Sequence, residues 1–168
     1  MRMELIQPFI NAADAVLSET LACPVTVSDI SMEKEAYQRR GSAALVEITG
    51  DIEGRVIFDI EDGLAMKVAR TIAGTDEIDA DPLIMRETVA ELANLVIGNA
   101  VTTLNDQGFR FKVRPPVDHP APLGFRGTED IEALVMDFAS SAGSVFMNIA
   151  LRYNRRRRAD SSPLGQAK

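Results

Sequence analysis

Apolar residues return every third or fourth position from Met3 to about Leu21, through Leu5, Phe9, Ile10, Ala13, Val16 and Leu17, which is the spacing of one buried helix face. Beyond Pro24 the pattern changes. Residues 25–31, 43–49 and 55–60 are rich in Val and Ile, and Gly50-Asp51-Ile52-Glu53-Gly54 separates the last two as a hairpin turn. These three segments read as adjacent antiparallel strands. A short apolar stripe, Leu64, Val68 and Ile72, then predicts a helix over residues 64–73 that stops at Gly74.

The longest helical pattern runs over residues 82–105. Asp81 stands at the N-cap position, Pro82 lies in the first turn, and Gly108 follows the end. Three further β-type runs, residues 110–114, 131–138 and 144–153, are divided by the proline-rich stretch 115–122, read as a loop, and by Ser140-Ser141-Ala142-Gly143. Both halves therefore read as a helix plus three strands, which suggests a weak duplication without a tandem repeat of fixed period. The expected class is α/β (α+β), a layered sheet with helices packed on it.

One domain over residues 1–153 accounts for this pattern, since a chain of 168 residues is large enough to bury roughly 68–70% of its unfolded surface. Residues 154–168 lose the periodicity and carry Arg155, Arg156, Arg157 and Arg158 with Ser161, Ser162, Pro163 and Gly165, so a disordered basic tail is expected there. The formal net charge of −7 repels nucleic acid phosphates, and those four arginines are the only dense basic cluster. Cys23 is the single cysteine, which rules out an intrachain disulfide and a thiolate zinc cage and fits a reducing cytoplasm. No run approaches the ~20 apolar residues that span a bilayer. Clustered carboxylates with metal-ligand geometry are not evident, so no metal site is expected.

Around the long helix, successive residues turn by about 100°. Met85, Leu92, Leu95, Val96, Ala100 and Thr103 then fall on an inner, mainly apolar face. Arg86, Glu87, Glu91, Asn94, Gly98, Thr102 and Asn105 form the opposite polar stripe, with Glu91 and Asn94 projecting together from adjacent turns. Gly98 is unusual, because an interior helical glycine costs about 1 kcal/mol relative to alanine and is kept where another backbone or a partner comes close. Asn99 falls towards the apolar side, where its amide is expected to bond to nearby backbone. His119, between Asp118 and Pro120, has no Ser, Cys or second His beside it and reads as an exposed loop histidine. Cys23 reads as a small apolar residue at a helix–strand junction.

The segment Glu91-Leu-Ala-Asn94-Leu-Val-Ile-Gly98-Asn99-Ala100 resembles the signature helix of the CheX branch of the CheC/CheX/FliY chemotaxis phosphatases. The stretch Ile48-Thr-Gly50-Asp-Ile-Glu-Gly54-Arg-Val-Ile-Phe-Asp, running into the following helix and Gly74, is similar to that family's strand–turn–strand–helix lead-in. The resemblance covers roughly Met3 to Tyr153. It implies a phosphatase acting on the phosphoaspartate of a CheY-like response regulator, with Glu91 and Asn94 entering the regulator's active site, Glu91 to anchor and Asn94 to orient water. Glu87 and Gly98 are then partner-binding positions, and Glu87 departs from the Asp or Ser that the family usually carries there. The resemblance also implies a homodimer, no cofactor of its own, and Mg²⁺ held by the regulator. A non-catalytic adaptor of the same fold, binding a regulator or a flagellar motor component through the polar stripe, is the alternative. A metabolite enzyme has less support, because no Gly-rich phosphate loop, metal motif or nucleophile–base pair is present.

Overall fold

The computed structural model describes residues 3–33, 39–75, 77, 81–118 and 132–154. Along the chain these form α1 (Met3–Leu21), β1 (Thr26–Glu33), β2 (Ser42–Gly50), β3 (Ile52–Ile60), α2 (Asp62–Ala73), α3 (Pro82–Asp106), β4 (Phe111–Val113), β5 (Val117–Asp118), β6 (Ala133–Ser140) and β7 (Gly143–Tyr153). The expected helices and long strands are all present, so the mixed α/β class holds. Residues 119–131 and 155–168 lie outside the described residues, and with them His119 and the arginine cluster.

The strands form one antiparallel sheet in the order β1-β6-β7-β3-β2-β4, with β5 also paired to β2. Two differences from the sequence reading matter here. First, β1 does not lie beside β2: it pairs with β6 at the far end of the sheet, from Thr26 opposite Ala139 to Glu33 opposite Ala133. Consecutive strands are neighbours only about two-thirds of the time, and apolar alternation carries no record of the partner strand. Second, the proline-rich stretch contributes the two-residue β5, whose Val117 and Asp118 pair with Leu45 and Ala44. The halves interleave into one sheet, because β1 and β3 each pair with a strand of the second half.

Side chains alternate across the sheet with a period of two. Ala44, Val46 and Ile48 of β2 and Val56, Phe58 and Ile60 of β3 point to the helix side, where they meet Leu5, Phe9, Ala13 and Leu17 of α1, Leu64 and Val68 of α2, and Leu92, Val96 and Ala100 of α3 in one core. Ala43, Leu45, Ile57 and Val135 form a smaller cluster on the other side. That side also buries Arg55, whose guanidinium donates to the Asn148 amide oxygen, and Asp59, whose carboxylate accepts the Arg40 and Gly41 backbone N–H groups at 2.7 and 2.9 Å.

The β2–β3 turn is tighter than a five-residue loop, because β3 already begins at Ile52. Gly54 lies at φ +140°, and a Cβ there would stand 1.9 Å from the Ala150 carbonyl oxygen on β7. Only glycine lets β3 and β7 approach at this point. Asp51 fixes the same corner: its carboxylate accepts the Arg110 N–H at 2.8 Å, and its own N–H donates to the Arg110 carbonyl at 2.8 Å.

Candidate functional site on the outer face of α3

The long helix is held at both ends and along one side. At its start the Asp81 carboxylate accepts the Leu83 N–H at 2.9 Å, with Pro82 in the first turn, as the sequence implies. At its end the Gly108 N–H donates to Asn105 and the Phe109 N–H to Leu104, with Gly108 at φ +92°. Phe109 packs against Tyr153 of β7 with ring centroids 5.8 Å apart, and the Tyr153 hydroxyl donates to Glu4 of α1.

Between these ends, Val89, Leu92, Ala93, Val96, Ile97, Ala100 and Leu104 are buried. Thr88 is buried with them and satisfies its hydroxyl on the Ile84 carbonyl at 2.8 Å. The inner face is thus rotated relative to the sequence reading. Ile97, Ala93 and Leu104 belong to it, whereas Leu95 is 45% exposed and Thr103 and Asn99 face solvent. The physical reason is that α3 is wedged by α1 on one flank and by β2 below. Its buried arc is set by those neighbours rather than by the mean position of its apolar residues. Asn99 consequently needs no backbone partner; with Gln7, Asn11 and Thr103 it lines a groove of about 410 Å³ between α1 and α3.

Glu91 and Asn94 stand on the exposed arc as expected, and Glu87 and Gly98 share it. The two site residues are separated by about 4.5 Å along the axis and by about 60° around it, so both can enter one small cavity of a partner. Neither makes a hydrogen bond or an ion pair with another described residue, whereas Asp59 and Asp51 are tied down by backbone donors. Gly98 is the notable member. A Cβ there would meet nothing within 4 Å, and its φ is not in the left-handed region, so the fold itself does not require glycine at this position. Thr102, one turn on and exposed, donates its hydroxyl to the Gly98 carbonyl at 3.0 Å.

Among the described residues, no three of His, Cys, Asp and Glu gather into a group that could hold a metal ion. Cys23 is partly buried beyond the C-terminal end of α1, next to Ala22 at φ +52°. The outer arc of α3 is a convex helix face that carries an amide, a carboxylate and an open glycine together. A small molecule would need a concavity around the reacting groups.

Comparison with known proteins defines this class. The family model described as chemotaxis phosphatase CheX matches residues 42–119, a span that includes the whole of α3. Among solved structures, the complex of CheX with CheY, BeF₃ and Mg²⁺ from Borrelia burgdorferi is similar at 31% identity, covering 90% of this chain and 99% of that chain with a TM-score of 0.65. A CheC-like superfamily protein from Shewanella sp. PV-4 is 21% identical over 90% of this chain and 99% of its own, with a TM-score of 0.76. CheX from Desulfovibrio desulfuricans is 20% identical over the same shares, with a TM-score of 0.73. No curated protein matches the chain. The chain belongs to the CheX family of chemotaxis phosphatases.

Proposed function

We propose that this protein hydrolyses the phosphoaspartate of a CheY-like response regulator, with Asn94 orienting the attacking water and Glu91 docking the helix. The observation that carries the reading is the pairing of an exposed carboxylate and an exposed amide on a helix fixed at both ends, beside a glycine that the fold does not require. The 31% identical CheX solved with CheY, BeF₃ and Mg²⁺ supports the partner class, BeF₃ being a mimic of a phosphoryl group.

In the proposed reaction a water oxygen attacks phosphorus in line with the bond to the aspartyl carboxylate. That P–O bond breaks, the carboxylate leaves, and inorganic phosphate is released. Acyl phosphates need little general-base help, so holding the water is the main requirement. The Asn94 carboxamide offers an acceptor for the water and donors towards the phosphoryl oxygens, and its neutrality adds no repulsion against them. Glu91 beside a phosphoryl group is a poor base but a good partner for a regulator lysine, a charge-assisted contact that sets the register of α3. Glu87, one turn before Glu91, extends the docking edge. The Mg²⁺ belongs to the regulator's acidic pocket, and this chain contributes no cofactor to the step.

Self-association is part of the proposal. The edge strand β1 is exposed along nearly its whole length, with Val27, Ile30 and Met32 among its exposed residues, and its outer edge pairs with no other described strand, so it suits a second copy. Sedimentation equilibrium measures the stoichiometry directly. No described helix is long and apolar enough to cross a membrane, in keeping with the proposed cytoplasmic location.

The deciding experiment is phosphate release from phosphorylated CheY-like regulators with and without the protein. Asn94→Ala is expected to lower kcat with binding retained, and Glu91→Ala to raise KM as well, with a cost of about 2–5 kcal/mol if the pair is desolvated at the interface. Wild-type rates in both variants place the chemistry elsewhere. A wild-type protein that binds a regulator without accelerating hydrolysis is the adaptor instead.

A further inference from the structure

Leu95 is the one large apolar side chain in the middle of the exposed arc of α3, at 45% exposure, and no described element covers it. An exposed leucine taken singly is ordinary on a protein surface. Its neighbours make this one informative. On a helix, residues three and four apart are adjacent, so Leu95 borders Glu91 on one side and Gly98 on the other, while Asn94 borders the same two residues. Glu91, Asn94, Leu95 and Gly98 therefore form a four-cornered patch, with the carboxylate at one end, the open glycine at the other, and the amide and the isobutyl group facing each other across it. Thr102 continues the patch one turn on, its hydroxyl being already used on the Gly98 carbonyl.

We infer that Leu95 is a specificity-determining contact for the response regulator: it seats in an apolar depression beside the phosphoaspartate pocket while Asn94 enters the pocket itself. The inference rests on the proposed function. Any partner whose active site receives Glu91 and Asn94 must also cover Leu95, because the three side chains leave one face within about one helical turn. Gly98 lets the partner's backbone come down onto the helix next to it, which is what removes water from the leucine. Polar residues in the regulator position a charge or an amide with direction but tolerate bridging water; a buried isobutyl group demands a matching apolar surface and so distinguishes regulators that share the same catalytic residues.

The test is a comparison of Leu95→Gln, Leu95→Ala and Leu95→Met with wild type against a panel of phosphorylated CheY-like regulators from the same organism. The readouts are kcat, KM, binding of the regulator loaded with BeF₃ and Mg²⁺, and melting temperature. Leu95→Gln is expected to raise KM and the dissociation constant by at least about tenfold, the loss expected from leaving a leucine site unfilled by apolar atoms. Its kcat at saturation and its melting temperature should stay at the wild-type values, and Leu95→Met should restore tight binding. Unchanged KM and binding in Leu95→Gln, beside a wild type that turns over the regulator, overturns the role of Leu95 and leaves the proposed function standing. A fall in kcat alone, or a changed sedimentation behaviour with unchanged regulator binding, also overturns it, in the second case because the occupant is a second copy. A wild type that neither binds nor dephosphorylates any member of the panel overturns this inference and the proposed function together.

Discussion

Replacing Gly98 with alanine should make the protein more stable and a worse phosphatase, two effects of opposite sign from one methyl group. In the free protein the new Cβ meets nothing within 4 Å, and the backbone is not in the left-handed region, so there is no clash and no strain to offset the gain. An alanine in place of an interior helical glycine is worth about 0.8–1.0 kcal/mol. For a chain of 168 residues that corresponds to an increase in melting temperature of about 2–4 °C. In the proposed complex the same methyl group stands where the regulator's backbone would approach. Overpacking of that kind costs about 1–3 kcal/mol, or about 5- to 150-fold in kcat/KM, carried mainly by KM. Calorimetry and a phosphate-release assay on the same preparation measure both. A stabilised variant with full activity would refute the close approach at Gly98, and a destabilised one would refute the open space around it.

Two further outcomes concern the scaffold. Gly54→Ala places a Cβ against the Ala150 carbonyl and forces an unfavourable φ, so chemical denaturation should show a loss of at least about 2 kcal/mol, with the midpoint shifted and the slope retained. Removing residues 154–168, which carry the four arginines and little apolar surface, should leave the melting temperature within about 2 °C of the intact chain; a larger drop means that the segment packs against the domain.

The elements that could be read from the sequence are those whose signal is local. Asp81, Pro82 and Gly108 bracket α3 because caps act through the nearest backbone groups, and Gly50 and Gly54 mark the β2–β3 corner because a turn is defined within a few residues. Strand partnership was not legible in the same way: nothing in residues 26–33 says that they pair with residues 133–139 rather than with the next strand along the chain. The exposure of Glu91, Asn94, Glu87 and Gly98 was legible, since it follows from their polarity or lack of a side chain. Leu95 and Asn99 were misplaced for the complementary reason. Hydrophobicity assigns leucine inward and the period alone brings Asn99 close to the core, whereas the buried arc of α3 is fixed by where α1 and β2 lie, which only the folded chain reveals. A signal was available: Ala93, Ile97, Ala100 and Leu104 continue a path of four- and three-residue apolar steps from Val89 that leaves Leu95 to one side.

The clamping of α3 divides its residues into two sets that answer to different demands. Those turned towards α1 and β2 are judged by how they fill space inside one molecule; those turned away are, on the proposed function, judged by another molecule altogether. Because the two sets point to opposite sides of one helix, a lineage that duplicates this chain can, on the proposed function, rewrite the outward letters for a new regulator while inheriting the fold intact. The same separation lets a designer retarget the phosphatase by substituting a handful of outward positions, with thermal stability serving as a check that the inward ones were left alone.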